Sequence, residues 1–205
     1  MRGKPSSKIF RFRFAKTHMT EELKEKLKKI KAIVFDGDGV FFSGRVFVSP
    51  EKGEALKERS HIDGQGISLL RAIGIRVALI SGEKTGFIEK IGEKVNSLPS
   101  VKNGDWPEMG IFTGFQGGQK VETIENWLKE NGIGWQECAA MGDDLADYEL
   151  LLKVGVAAAP AQAEAVIKEI ADFVVPREGG NGAIRDLCNL ILEAKGIDMR
   201  DLKLR

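Results

Sequence analysis

The sequence predicts an α/β fold: a doubly wound, Rossmann-like, mainly parallel sheet with a projecting β-hairpin and no large cap domain. Three observations support it. Short, continuously apolar runs such as Ala32–Phe35, Ile75–Ile80 and Cys138–Met141 read as strands buried on both faces. Segments with apolar residues at helical spacing lie between them. Acids, a hydroxyl and glycines gather just after the strands, where such sheets place their sites.

The elements follow in order. Residues 1–19 form a basic arm with Arg2, Lys4, Lys8, Arg11, Arg13 and Lys16 and no acid. Phe10, Phe12 and Phe14 alternate with Arg11 and Arg13, the period of a short strand. The arm reads either as a tail or as a segment that packs on another subunit or a polyanion. The main domain is expected over residues 20–197. Its first helix spans 20–30, with Thr20 as cap, Glu21 and Glu22 in the first turn and lysines at the end. The strand Ala32–Phe35 follows. Val40–Asp63, with Arg45-Val46-Phe47-Val48 and the turn Pro50-Glu51-Lys52-Gly53, reads as the hairpin. After an apolar helix and the strand Ile75–Ile80 comes a helix over Lys84–Val95. Asn96–Gly110, rich in Gly, Pro, Ser and Asn around Trp106, reads as a long loop, either functional or mobile. Helices are then expected at Lys120–Asn131, Asp144–Lys153, Gln162–Ala171 and Ala183–Lys195, with strands at Cys138–Met141, Val154–Ala158 and Asp172–Val175. Residues 198–205 form a C-terminal tail.

Composition bounds the function. A chain of 205 residues, 42% hydrophobic and 30% charged, suits one ordinary globular domain. Lys+Arg 31 against Asp+Glu 30 leaves a net charge of +1, which excludes a protein-wide electrostatic footprint for nucleic acid or anionic membrane. The two cysteines, Cys138 and Cys188, sit in apolar stretches, the pattern of a reducing compartment. There is no signal-peptide pattern and no apolar run of membrane-spanning length, so a cytoplasmic location is expected.

Four strand-end motifs point to chemistry. Asp36-Gly37-Asp38-Gly39-Val40 puts two carboxylates two residues apart, facing one way on an extended chain. Acids this close repel unless a cation or proton intervenes, and oxygen ligands favour Mg²⁺. Gly142-Asp143-Asp144-Leu145-Ala146-Asp147 supplies further carboxylates after another strand, where Asp143 or Asp144 can cap the next helix while the other binds metal. Ser81-Gly82 offers a hydroxyl and a backbone N–H suited to phosphate oxygens, or a helix cap. Lys120 places an ammonium at a helix start, against the dipole, which is costly without an anion nearby. Asp63-Gly64-Gln65-Gly66 either lines the pocket or caps a helix. No histidine, cysteine or serine triad assembles around His18 or His61.

Taken in order, these motifs resemble the haloacid dehalogenase superfamily of aspartate-nucleophile phosphatases. The likeness is closer to its 3-deoxy-D-manno-octulosonate 8-phosphate (KDO 8-phosphate) phosphatase branch. Ser43-Gly44-Arg45, Asp63-Gly64-Gln65-Gly66-Ile67 and Gly179-Gly180-Asn181-Gly182-Ala183-Ile184-Arg185 extend it, over about residues 22–197. The resemblance implies a Mg²⁺-dependent phosphatase acting on a small phosphorylated sugar acid. Asp36 would be the nucleophile and Asp38 the acid–base group. Mg²⁺ would be held by Asp36, Asp143 and the Asp38 carbonyl. Ser81, Gly82 and Lys120 would bind the phosphoryl oxygens, with Asp144 near Lys120, and Asp63, Gly64 and Arg45 would meet the substrate. The gaps between Asp36, Ser81 and Lys120 are too short for a full cap domain. Capless relatives form homotetramers in which hairpins and C-terminal tails cover neighbouring sites. Here the hairpin at 45–57 and the tail's Arg200, Lys203 and Arg205 are the candidates.

Two positions depart from the branch. Glu83 follows Ser81-Gly82, and Ile62 precedes Asp63-Gly64, where arginine is usual. Two fewer cations face a substrate carboxylate, which weakens the case for KDO 8-phosphate itself; a nine-carbon sugar-acid 9-phosphate is the nearest alternative substrate. A degenerate binding module is the alternative function. A phospho-acceptor receiver domain would place its acceptor acid on a later strand, whereas Asp36 and Asp38 follow the first.

Overall fold

The structure, a computed structural model, describes residues 19–51 and 53–202. In chain order the elements are α1 (Glu21–Lys29), β1 (Ala32–Asp36), β2 (Val46–Ser49), β3 (Gly53–Lys57), α2 (His61–Ala72), β4 (Arg76–Ser81), α3 (Phe87–Asn96) and α4 (Pro99–Lys102). They continue with β5 (Gly110–Thr113), α5 (Gly118–Glu130), β6 (Cys138–Met141), α6 (Tyr148–Leu151), β7 (Val156–Ala159), α7 (Ala165–Ile170), β8 (Phe173–Val174) and α8 (Ala183–Ala194). The basic arm up to His18, and Lys203–Arg205 of the tail, lie outside the described residues.

All five residues of β1 are buried. Side chains alternate across a strand, so Ile33 and Phe35 enter one apolar core while Ala32 and Val34 enter the other. That pattern belongs at the centre of a sheet covered on both faces. The sheet order is β5-β4-β1-β6-β7-β8, with every neighbouring pair parallel. Helices α1, α2, α3 and α8 supply the first core, and α5, α6 and α7 the second. From β1 the chain builds outward through β4 and β5, then returns to β6 on the other side of β1. The order therefore reverses between β1 and β6. The crevice beyond their carboxyl ends is where this architecture receives ligands.

The hairpin of β2 and β3 forms a separate two-stranded antiparallel ribbon, with Val46 opposite Lys57 and Phe47 opposite Leu56. Among the described residues no cap domain interrupts the sheet.

Asn96–Gly110 departs from the expected loop. It contains the short helix α4 and leads into β5, a strand the sequence reading missed. It is also pinned. The buried Arg71 guanidinium donates to the Pro107 carbonyl at 2.8 and 2.9 Å, and Asn96 pairs with both backbone groups of Met109. Trp106 is buried. The segment enters β5 at its amino end, opposite the crevice, so it is framework. The expected helix over Asp144–Lys153 resolves into a 3₁₀ turn, Leu145–Asp147, followed by α6. In the tail, Leu202 packs on the first core and the Arg200 side chain bonds Asp198.

Candidate active site

Asp36 is the last residue of β1, and Gly37–Val40 turn the chain away above the crevice. The turn is closed by Phe41 N–H to the Asp36 carbonyl and Phe42 N–H to the Gly37 carbonyl. Gly39 has φ +85°, and a Cβ built there would lie 2.0 Å from Asp143 Oδ2. Only glycine allows this turn and this approach. A Cβ on Gly37 would similarly meet Ser81 Cβ at 2.9 Å. The ends of β1, β4 and β6 thus converge, bringing Asp36, Ser81 and Asp143 to one place.

Lys120, in the first turn of α5, completes the centre. It is 1% exposed, and its Nζ donates to Asp36 Oδ1 at 2.5 Å and Asp147 Oδ1 at 2.6 Å. Burial alone would lower its pKa, but the charges of Asp36 and Asp147 reverse that and raise it. Burial, then the Asp147 charge, pushes the Asp36 carboxyl well above the usual range, with Lys120 opposing. Burial, then Asp147 and Asp144, lifts Asp143 to about 7.

Asp36, Asp143 and Asp147 each present an oxygen, all within 4.8 Å of one another. Asp36 and Asp143, whose carboxyls are both pushed upward, offer hard oxygen donors that suit a divalent cation, whose charge would relieve the repulsion that now favours their protonation. The donor set fits such an ion.

The sequence motif includes Asp147 but assigns it no role, and puts Asp144 beside Lys120. Asp144 instead accepts from Leu145 N–H at 2.6 Å and caps the 3₁₀ turn. That turn carries Asp147 back under β6, where its Oδ2 accepts from Asp143 N–H at 3.1 Å. The signal was the third acid of Gly142-Asp143-Asp144-Leu145-Ala146-Asp147, four residues after Asp143.

Ser81 is 3% exposed and its Oγ accepts from Glu83 N–H at 3.1 Å, while Gly82 lies against the Gln116 side chain. Asp38 takes an ion pair from Lys57 of β3 at 2.7 Å. Sequence reasoning missed Lys57, because a lysine in a hairpin ordinarily reads as solvated.

Asp63 requires a correction: it neither lines the crevice nor caps its own helix. Ser60 caps α2, and Asp63 lies inside it, 0% exposed, accepting from Gly182 and Arg185 N–H at 2.9 Å each. It caps α8 from a distance. Its neighbour Gly64 lies near Arg59. Arg45 is exposed just before β2.

The loop before α8 closes the rim. Gly180 N–H bonds the Val40 carbonyl, and the Gln162 amide links the Gly39 carbonyl to Gly179 N–H. Beside Lys57, the partner of Asp38, opens a hollow of about 460 Å³, lined by Phe42, Lys57, Arg59, Thr85, Phe87 and Lys90 among others.

A family model described as haloacid dehalogenase-like hydrolase matches residues 82–185. The 3-deoxy-D-manno-octulosonate 8-phosphate phosphatase of Salmonella typhi is 32% identical over 172 residues, covering 83% of this chain and 84% of the relative. Among solved structures, the phosphatase of that name from Moraxella catarrhalis, in complex with magnesium, phosphate and KDO, aligns with a TM-score of 0.75. Its identity is 27%, over 87% of this chain and 94% of that one. The cobalt-bound enzyme from Haemophilus influenzae aligns at 0.73 and 29% identity, over 83% and 92%. With its sheet order and strand-end acids, the chain belongs to the haloacid dehalogenase-like hydrolases, among their phosphatases.

Proposed function

We propose that the chain hydrolyses a sugar-acid phosphate, KDO 8-phosphate first among candidates, with Mg²⁺ and through an aspartyl-phosphate. One observation supports this above others: a buried carboxylate, Asp36, ends the central strand at the switch point with Lys120 on one oxygen and two further acids around it. The similar Moraxella enzyme is in complex with magnesium, phosphate and KDO.

In this reading an Asp36 oxygen attacks phosphorus, the ester bond breaks, and Asp38 protonates the departing sugar oxygen. Asp38 then takes a proton from water as that water attacks the aspartyl-phosphate, releasing phosphate and restoring Asp36. Lys120, Ser81 and the Gly82 N–H bind the non-bridging oxygens as charge redistributes. Asp147 fixes Lys120 for that task. Mg²⁺ would be held by Asp36, Asp143 and the Asp38 carbonyl, and would supply positive charge to the phosphoryl oxygens. The hollow beside Lys57 takes the sugar, with Arg59 and Lys90 as cations for its carboxylate.

Glu83 favours the nine-carbon alternative. Its carboxylate is tied at 2.7 Å to Lys57, which lines this hollow. A carboxylate accepts hydrogen bonds from the extra hydroxyls of a longer chain. We also propose a homotetramer built on the exposed hairpin.

The test is phosphate release from a panel of sugar phosphates with Mg²⁺, with EDTA, and with Asp36→Asn. Metal-dependent release of KDO 8-phosphate phosphate, abolished in the variant, is the expected result. Release only from nine-carbon esters moves the substrate and keeps the mechanism. No release from any ester, by folded Mg²⁺-loaded protein, makes the chain a binding module.

A further inference from the structure

Lys57 is the last residue of β3, on a ribbon whose other side chains mostly face water. Its own side chain is 2% exposed. The ammonium lies between the rings of Phe42 and Phe87, at 5.8 and 5.7 Å from their centroids. It meets three carboxylates: Asp38 and Glu83 at 2.7 Å each and Glu54 at 3.2 Å. An ammonium has three donors. Two of them are hydrogen-bonded to Asp38 and Glu83, and Glu54 adds an ion-pair contact at 3.2 Å.

The three acids sit on different segments. Asp38 belongs to the turn after β1, Glu83 to the loop after β4, and Glu54 to the hairpin itself. Lys57 therefore fastens the hairpin to the two loops that frame the crevice. Asp38 is 31% exposed at its side chain, and among the described residues Lys57 is the one side chain hydrogen-bonded to its carboxylate. Without that bond the Asp38 carboxylate would be free to rotate towards water. Proton delivery depends on the donor being within hydrogen-bond reach of the leaving oxygen.

We propose that Lys57 is a positioning residue: it aims the Asp38 carboxylate at the bridging oxygen of the substrate and so makes the hairpin part of the catalytic apparatus. This rests on the reading of Asp38 as the acid–base group. It also gives Glu83 a purpose in this chain, as the second anchor of Lys57.

A structural anchor and a positioning residue differ in leaving-group dependence. A sugar alkoxide needs a proton to depart; p-nitrophenolate does not. The experiment measures kcat/KM, with kcat and KM separately, for the best sugar phosphate of the panel and for p-nitrophenyl phosphate, in wild type, Lys57→Met, Glu83→Gln and Asp38→Asn. All are compared with saturating Mg²⁺ and checked for folding by thermal melting. Lys57→Met is expected to lose about 10–100-fold more on the sugar phosphate than on the aryl ester, as misplacing a catalytic group does. Glu83→Gln is expected to lose in the same direction by less, and in kcat; if Lys57→Met does not fold, a Glu83→Gln loss in KM alone reports the sugar contact of Glu83 and overturns the positioning role. Equal losses on both esters, or none, with Asp38→Asn still selective, would overturn the role of Lys57 and leave Asp38 as acid. An unselective Asp38→Asn would overturn the acid–base reading and this proposal with it.

Discussion

Lys120 holds one positive charge between two buried carboxylates, Asp36 and Asp147. Removing a buried ion's partner leaves uncompensated charge, at about 3–5 kcal/mol. Lys120→Met is therefore expected to destabilise the metal-free protein by about that much, read from chemical denaturation in EDTA, with added Mg²⁺ restoring part of it. Asp143 adds a pH dependence. Its carboxyl is raised to about 7 from 3.8. Its preference for the proton in the folded state contributes stability that is full below about pH 4 and lost as pH rises through 7. A cation must displace that proton, so Mg²⁺ affinity should rise about tenfold per pH unit for each proton displaced, levelling above 7. Calorimetric titration at pH 6, 7 and 8 checks this; an affinity flat across that range would show the site binds metal without Asp143. At this scale Asp36, Asp38 and Asp143 stood out because two acid-rich turns follow apolar strands of one sheet, although either turn alone could be a simple turn or helix cap. The roles of Asp147 and Lys57 were hidden, since the one depends on a 3₁₀ turn and the other on a hairpin folding back over Asp38.

Helix α8 owes its amino end to a residue far along the chain. Gly182 and Arg185 N–H groups, which a helix start leaves without partners, are both taken by Asp63 of α2. The two helices pack closely through Ile67, Leu70, Leu187 and Ile191. Asp63→Ala would strand buried donors, and a loss of about 1–3 kcal/mol in unfolding free energy is expected. A midpoint unchanged in urea would mean water replaces the carboxylate. Elements with unbroken apolar runs, β1 and β6 above all, were plain in the sequence. Strand β5 was not: its four residues are all half-buried and begin with glycine, so neither alternation nor a continuous run marks it. The burial of Arg71, which pins the segment before β5, is equally invisible, because arginine is ordinarily a surface residue.

The whole molecule divides into a buried six-stranded sheet and an outlying ribbon. Phe47, Val48 and Leu56 are 64%, 69% and 62% exposed on that ribbon, an apolar surface that a second copy of the chain would cover. If the ribbon builds the proposed oligomer, Phe47→Asp lowers the mass seen by light scattering and raises KM for the sugar phosphate. Turnover of p-nitrophenyl phosphate stays as it was; an unaltered mass removes the ribbon from the interface. Among the described residues the ribbon shares no strand pairing with the main sheet. Residues at its tip can therefore be exchanged with little harm to the cores on which folding depends. In this architecture substrate preference can drift over generations at the ribbon while the strand-end acids stay fixed, and Lys57 marks the point where that freedom stops.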